Sequence, residues 1–176
     1  MFDRLVDVLL QCVGFFKCAV VIDVYQRGVR LRRGINPILL EPGFHWIVPF
    51  AVDRVIEELV VPRTVRLPPQ TVTLADGNTI VVEPQVTFQV RDVVKEVCEA
   101  ENAEAAALNA TAGVIRRHLS GARWEELLNG QSSEELETAI TKAARPRGFR
   151  WGIEIMEVSF ASLAKARTIR LIGSTA

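Results

Sequence analysis

The sequence predicts an α+β fold: a mostly antiparallel sheet with helices packed on it, preceded by an N-terminal amphipathic helix. Three observations carry that reading. Between residues 19 and 91, apolar side chains recur at every second position in several runs, the mark of strands with one covered face. From residue 92 to 148 the chain turns Ala- and Glu-rich with helical spacing. A last β-rich run, "FRWGIEIMEVSF", follows the helices. Strands, then helices, then a strand is the order of an antiparallel α+β domain rather than of alternating βαβ units.

Composition sets the class. The chain has 176 residues, 49% hydrophobic and 24% charged, enough for a core and one domain. Lys+Arg and Asp+Glu both number 21, so nothing electrostatic points to nucleic acid as a partner. Cys12, Cys18 and Cys98 form no C-x-x-C pair and are odd in number, which reads as reduced thiols. Acylation of Cys12 or Cys18 beside a membrane segment is the functional alternative.

The chain opens with "MFDRLVDVLLQCVGFFKCAVVI". The uncharged run from Asp7 to Lys17 is short of the roughly 20 residues a spanning helix needs. Asp3 and Asp7 cancel the positive start of a signal peptide, and no small-x-small cleavage site follows. At helical spacing, Phe2, Leu5, Val6, Leu9, Leu10, Val13 and Phe16 share a wide apolar face. Asp3, Arg4, Asp7, Gln11 and Gly14 form a narrow polar strip. That pattern suits a helix lying in a membrane interface. A helix packed on the core or in a subunit interface shows the same pattern. The organisation expected is an anchor over 1–17, the main domain over 18–162 and a short tail over 163–176.

The body divides element by element. Residues 18–34 read as a hairpin with Gln26-Arg27-Gly28 at the turn. "VDRVIEELVVP" is a further strand. "QTVTLADGNTIVVEPQVTFQV" is a second hairpin turning at Asp76-Gly77-Asn78. There Ile80, Val82, Val86, Phe88 and Val90 fall on one side, and Pro84 marks an edge or bulge. Two helices broken near Glu101-Asn102 follow, then a short one ended by Gly130. Ser132-x-x-Glu135 has the capping-box pattern for a last helix with Leu136, Ile140 and Ala143 inward and Gly148 at its end.

In order and spacing, these pieces resemble the SPFH, or Band 7, domain of stomatins, prohibitins and flotillins. The resemblance runs over about residues 19 to 160. It is carried by "VYQRGVRLRRG", "LEPGFHWIVPFAVDRV", "TLADGNTIVVEPQVTFQVRD", "AAALNATAGVIRRHL", "WEELLNG" and "WGIEIMEVSF". The family continues with Leu-Pro and a long coiled-coil helix, where this chain has "ASLAKARTIRLIGSTA". The expectation is a minimal member without the C-terminal coiled coil. Gln131-Ser132-Ser133-Glu134 also stands where the family commonly has Arg-Glu.

The resemblance implies a membrane-associated scaffold that self-assembles laterally, at the cytoplasmic face. The alternative is a soluble adaptor that binds a membrane protease or channel. In the family the Pro-Gly-x-His segment is membrane-proximal, which makes Phe44, Trp46 and Phe50 candidate membrane contacts beside the N-terminal face. Arg27, Arg30, Arg32 and Arg33 are candidates for lipid phosphates, each worth about 1 kcal/mol at an anionic surface. The plainer alternatives are core aromatics and a solvated strand face. Ala103, Ala106, Ala107 and Ala110 form a small-residue helix face for homo-oligomer contact or for packing within the chain.

No catalytic constellation is legible. His45 near Glu41 is a weak dyad, and His118 stands at a helix end where a cation is favoured. There is no nucleophile elbow, phosphate loop or metal-ligand spacing, so neither enzyme activity, cofactor nor metal is expected. Asn109-Ala-Thr111 matches a glycosylation sequon in mid-helix.

Overall fold

The computed structural model describes residues 19–48 and 52–166. The expected anchor helix over 1–17, Cys12, Cys18, Phe50 and the end of the tail lie outside the described residues. The chain divides into two compact units. The first takes the described residues up to Pro62 together with Gln89–Glu104 and Trp151–Glu154. The second takes Arg63–Phe88, Ala105–Arg150 and the described residues from Ile155 on.

In the first unit β1 (Ala19–Ile22) pairs antiparallel with β4 (Gly43–Trp46). Beside this ribbon is a sheet in which β2 (Gln26–Arg32) lies between β3 (Asn36–Leu40) and β5 (Asp53–Leu59), both antiparallel to it. The hairpin expected over 18–34 is therefore not formed. The chain turns earlier, where Gln26 N–H bonds the Asp23 carbonyl at 3.0 Å, and β1 takes β4 as its partner. Alternation marks a strand's faces but not its partner, so the sequence pattern suited either pairing. Gly28 lies inside β2, paired with Leu40 and Glu57, because a Cβ there would stand 2.5 Å from Ile22 Cδ1.

The turn from β2 to β3 has consecutive positive φ values, 53° at Arg33 and 74° at Gly34. Both residues lie in the three-residue connection Arg33 to Ile35, closed by Ile35 N–H on the Arg32 carbonyl at 3.1 Å, and the sign of their φ matches the right-handed twist of the flanking strands. The short helix α1 (Val93–Glu99) is capped by Asp92, whose carboxylate accepts Lys95 N–H at 3.1 Å. Val29, Val90 and Val93 form the core of this unit, with Leu31, Val60, Val94 and Val97 packed on it.

The second unit is built on β8 (Thr79–Val90), whose last two residues belong to the first. The hairpin turning at Asp76-Gly77-Asn78 is present: β7 (Gln70–Thr73) pairs Thr79–Val82, and Gly77 has φ 79°. The alternation is also as expected, with Ile80, Val82, Val86, Phe88 and Val90 all at most 2% exposed. β6 (Arg63–Arg66) pairs Gln85–Phe88. Pro84 thus falls where β8 changes partner from β7 to β6. Its carbonyl accepts Leu67 N–H at 2.8 Å, so its missing N–H faces that same break. β9 (Ile153–Lys165) also pairs with β8.

The helices α2 (Ala103–Gly121), α3 (Trp124–Leu128) and α4 (Gly130–Phe149) complete the chain. The break between α1 and α2 at Glu101-Asn102 is as expected. The start of α4 is not. Asn129 caps it, accepting Gln131 N–H at 3.2 Å, so Gly130 opens the helix and Ser132 lies within its first turn. Asn and Ser cap about equally well, and the earlier cap wins. The buried residues are Ile140, Thr141, Ala144 and Gly148, a face rotated from Leu136/Ala143, and the helix runs one residue past Gly148. The reason is β9. Thr141 Oγ1 accepts Val158 N–H at 2.9 Å, Glu137 accepts Phe160 N–H at 3.1 Å, and Arg145 donates to the Ile155 carbonyl at 3.3 Å. Side chains four residues apart on one helix face satisfy main-chain groups that a further strand would otherwise take.

Candidate membrane-facing surface

β4 is built to point aromatics outward. Pro42 precedes it and Gly43 opens it, with φ 136°, a region hostile to L side chains. His45 Nε2–H donates to the Glu41 carbonyl at 2.6 Å and closes this turn from within. Strand alternation then sends Phe44 and Trp46 to the opposite face from His45. Phe44 is 58% exposed and Trp46 72%. Their rings meet edge-to-face, 5.3 Å between centroids. Val21 lies directly opposite Phe44 in the ladder and is 63% exposed. Ile22, on the other face of the ribbon, is buried. The ribbon therefore has one face toward the core of its unit and one apolar face open. The sequence left open whether Phe44 and Trp46 were core residues; neither is.

Beyond Trp46 the chain is fastened by Asp53. Its carboxylate, with no exposed side-chain surface, accepts Val48 N–H at 3.0 Å and Arg32 Nε–H at 3.2 Å. Asp53 N–H in turn bonds the Val48 carbonyl at 3.3 Å, and Arg33 N–H the Val52 carbonyl at 2.6 Å. The Val48 amide, then Arg32, hold the Asp53 carboxyl below the usual carboxylate range against the cost of burial. These bonds gather the turn at Arg33, with Ile35 75% exposed, to the end of the ribbon where Trp46 pairs Ala19. No motif singled out Asp53. Its only signal was an acid beginning an apolar strand.

The four candidate arginines are not one patch. Arg27 pairs with Glu41 at 2.8 Å and Arg32 with Asp53. Arg30 is half-buried, its Nε has no hydrogen-bond partner among the described residues, and of the four only Arg33 stands at the turn. Ala103 and Ala107 are at most 1% exposed and are spent on packing within the chain, whereas Ala106 and Ala110 remain half-buried.

The remaining candidates have structural roles. His118 Nδ1–H donates to the Val114 carbonyl at 2.9 Å within α2. Thr111 is fully buried and bonds the Ala107 carbonyl, so the sequon is locked in helix. Cys98 is a free, exposed thiol. Among the described residues no cluster of His, Cys, Asp or Glu could hold a metal ion, and no helix is long and apolar enough to cross a membrane.

Comparison with known proteins places the chain in a family. Residues 20–169 match the SPFH domain / Band 7 family. The chain belongs to that family. Among its relatives is an uncharacterized protein of Methanocaldococcus jannaschii, 25% identical over 154 residues, which are 88% of this chain and 76% of that one. A stomatin homolog of Pyrococcus horikoshii is 27% identical over 154 residues, 86% of this chain and 56% of that one. Mechanosensory protein 2 of Caenorhabditis elegans is 25% identical over 145 residues, 80% of this chain and 29% of that one. The chain thus spans about half the stomatin homolog and under a third of the nematode protein. SPFH-domain proteins are in general membrane-associated, oligomeric and non-enzymatic.

Proposed function

We propose that this SPFH-domain chain is a membrane-associated scaffold that self-assembles laterally at the cytoplasmic face and organises membrane partners. We place its bilayer contact on the β1–β4 ribbon, behind an anchor over residues 1–17. The observation that carries this reading is the outward aromatic pair Phe44 and Trp46, held open by the His45–Glu41 bond. Exposing two large rings side by side costs a soluble surface and suits an interface, where the indole keeps its N–H in water. Fully burying such side chains is worth about 1.5–3 kcal/mol each, so the ribbon alone gives millimolar-range attachment per subunit. Lateral assembly turns that weak hold into a firm one by multiplying contacts.

The test is liposome flotation of the full chain beside Phe44→Ser/Trp46→Ser, with the size of the floated species measured afterwards. Both residues are exposed, so the double variant keeps its fold. Loss of flotation with the fold intact supports the ribbon as contact. Undiminished flotation overturns that placement, and a floated monomer overturns the scaffold.

A further inference from the structure

The corner between α3 and α4 carries a chemically labile pair, Asn129-Gly130. Of the asparagines in the chain, Asn36 precedes Pro, Asn78 precedes Thr, and Asn102 and Asn109 precede Ala; only Asn129 precedes Gly. The geometry points to Asn129 as a site of deamidation by water, at which the folded chain acquires a negative charge at the start of α4.

The reaction needs the Gly130 amide nitrogen to attack the Asn129 side-chain carbonyl carbon after giving its proton to water or hydroxide. The new C–N bond closes a five-membered imide and ammonia leaves. Water then opens the imide at either carbonyl, leaving aspartate or isoaspartate. Three local features permit this. Asn129 is exposed. Gly130 is the first residue of α4, so its N–H has no partner within that helix. A Cβ at Gly130 would meet nothing within 4 Å, so no neighbouring group crowds that residue on its Cα side. One bond must open, the 3.2 Å contact from Gln131 N–H to Asn129 Oδ1.

Asp76-Gly77 is the internal contrast, because an aspartyl-glycine pair isomerises through the same imide. There the nitrogen is engaged, since Gly77 N–H bonds the Leu74 carbonyl at 3.0 Å. The Asp76 carboxylate accepts Asn78 N–H, Asn78 Nδ2–H and Trp124 N–H, all within 2.9 Å. Those bonds hold it ionised, which makes it a poor electrophile. The fold thus protects one glycyl pair and leaves the other open.

An aspartate at 129 keeps an acceptor for Gln131 N–H and puts its charge at the positive end of α4. The product is therefore compatible with the fold, and the chain, with a formal net charge of zero, gains one negative charge. The test incubates the folded full-length chain at mildly alkaline pH, with peptide mapping and charge-resolved separation over time. Wild type is expected to shift by one charge, with aspartate and isoaspartate appearing at 129 ahead of Asn78, Asn102 and Asn109. Gly130→Ala, which has open space for its methyl, is expected to lose that product, and Asn129→Asp to melt no lower than wild type. In denaturant Asp76-Gly77 is expected to join in. Retention of the amide at 129 as long as at the other sites overturns the proposal. So does equal reaction of Gly130→Ala, or isomerisation of Asp76 in the folded chain as fast as reaction at 129.

Discussion

The Nε2 of His45 lies 2.6 Å from the carbonyl oxygen of Glu41, inside the turn that sends Phe44 and Trp46 outward. This one bond gives the histidine after Pro-Gly-Phe a structural role in the turn. It ties the main chain on either side of Phe44 together.

His45→Ala is therefore expected to cost about 1 kcal/mol of stability, the net worth of one hydrogen bond. It is also expected to weaken liposome binding, although no apolar side chain is removed. Urea unfolding gives the first quantity and flotation the second. A stability loss with unchanged flotation would show that the turn does not control the aromatics.

Asp53 links stability to pH. Its folded carboxyl is held below the ordinary value by the Val48 amide and by Arg32. The contribution is complete above the unfolded value of about 3.9 and is lost as pH falls through the folded value. Asp53→Asn is expected to be less stable than wild type at neutral pH, the gap closing on acidification. Urea midpoints across a pH series give the comparison, and a gap independent of pH would contradict it.

Glu137 has the opposite sign. Burial raises its carboxyl, opposed by the Phe160 amide and reinforced by Glu157 and Glu134. A raised folded value means stability that is present below the unfolded value of about 4.3 and declines as pH rises through the folded value. Glu137→Gln keeps an oxygen for Phe160 N–H. It is expected to be slightly more stable than wild type at neutral pH and equal to it in acid. Melting curves at both pH values decide this.

Gly152 joins β9 to β8. It has φ 75°, its carbonyl accepts both Arg91 and Asp92 N–H, and a Cβ there would stand 2.2 Å from the Asp92 carbonyl oxygen. Gly152→Ala is expected to cost about 2–4 kcal/mol, from left-handed strain and a backbone clash that no side chain can relieve. Gly113→Ala, with open space, is the matched control in denaturant unfolding.

Much of the fold was legible because local rules decided it. Asp-Gly-Asn fixed one hairpin, the alternation of β8 fixed its inner face, and the Ala-rich stretch fixed α2. What failed depended on partners distant in sequence. β1 matched β2 in pattern but lies on β4, and the inner face of α4 is set by where Thr141 meets Val158. In the candidate surface, Phe44 and Trp46 were readable from the Pro-Gly-x-His pattern. Their exposure was not, since an aromatic cluster reads alike in a core and at an interface. The arginines read as a basic run but divide between Glu41, Asp53 and the opposite faces of a strand.

The most direct measurement is the emission of Trp46 on mixing the chain with liposomes, taken as the difference between wild type and Trp46→Phe. Membrane contact through the ribbon predicts a blue shift of that difference spectrum and its quenching by a bilayer-embedded quencher. A difference spectrum that stays that of a solvated indole, while the chain floats with the liposomes, would contradict the account and move the contact elsewhere on the chain.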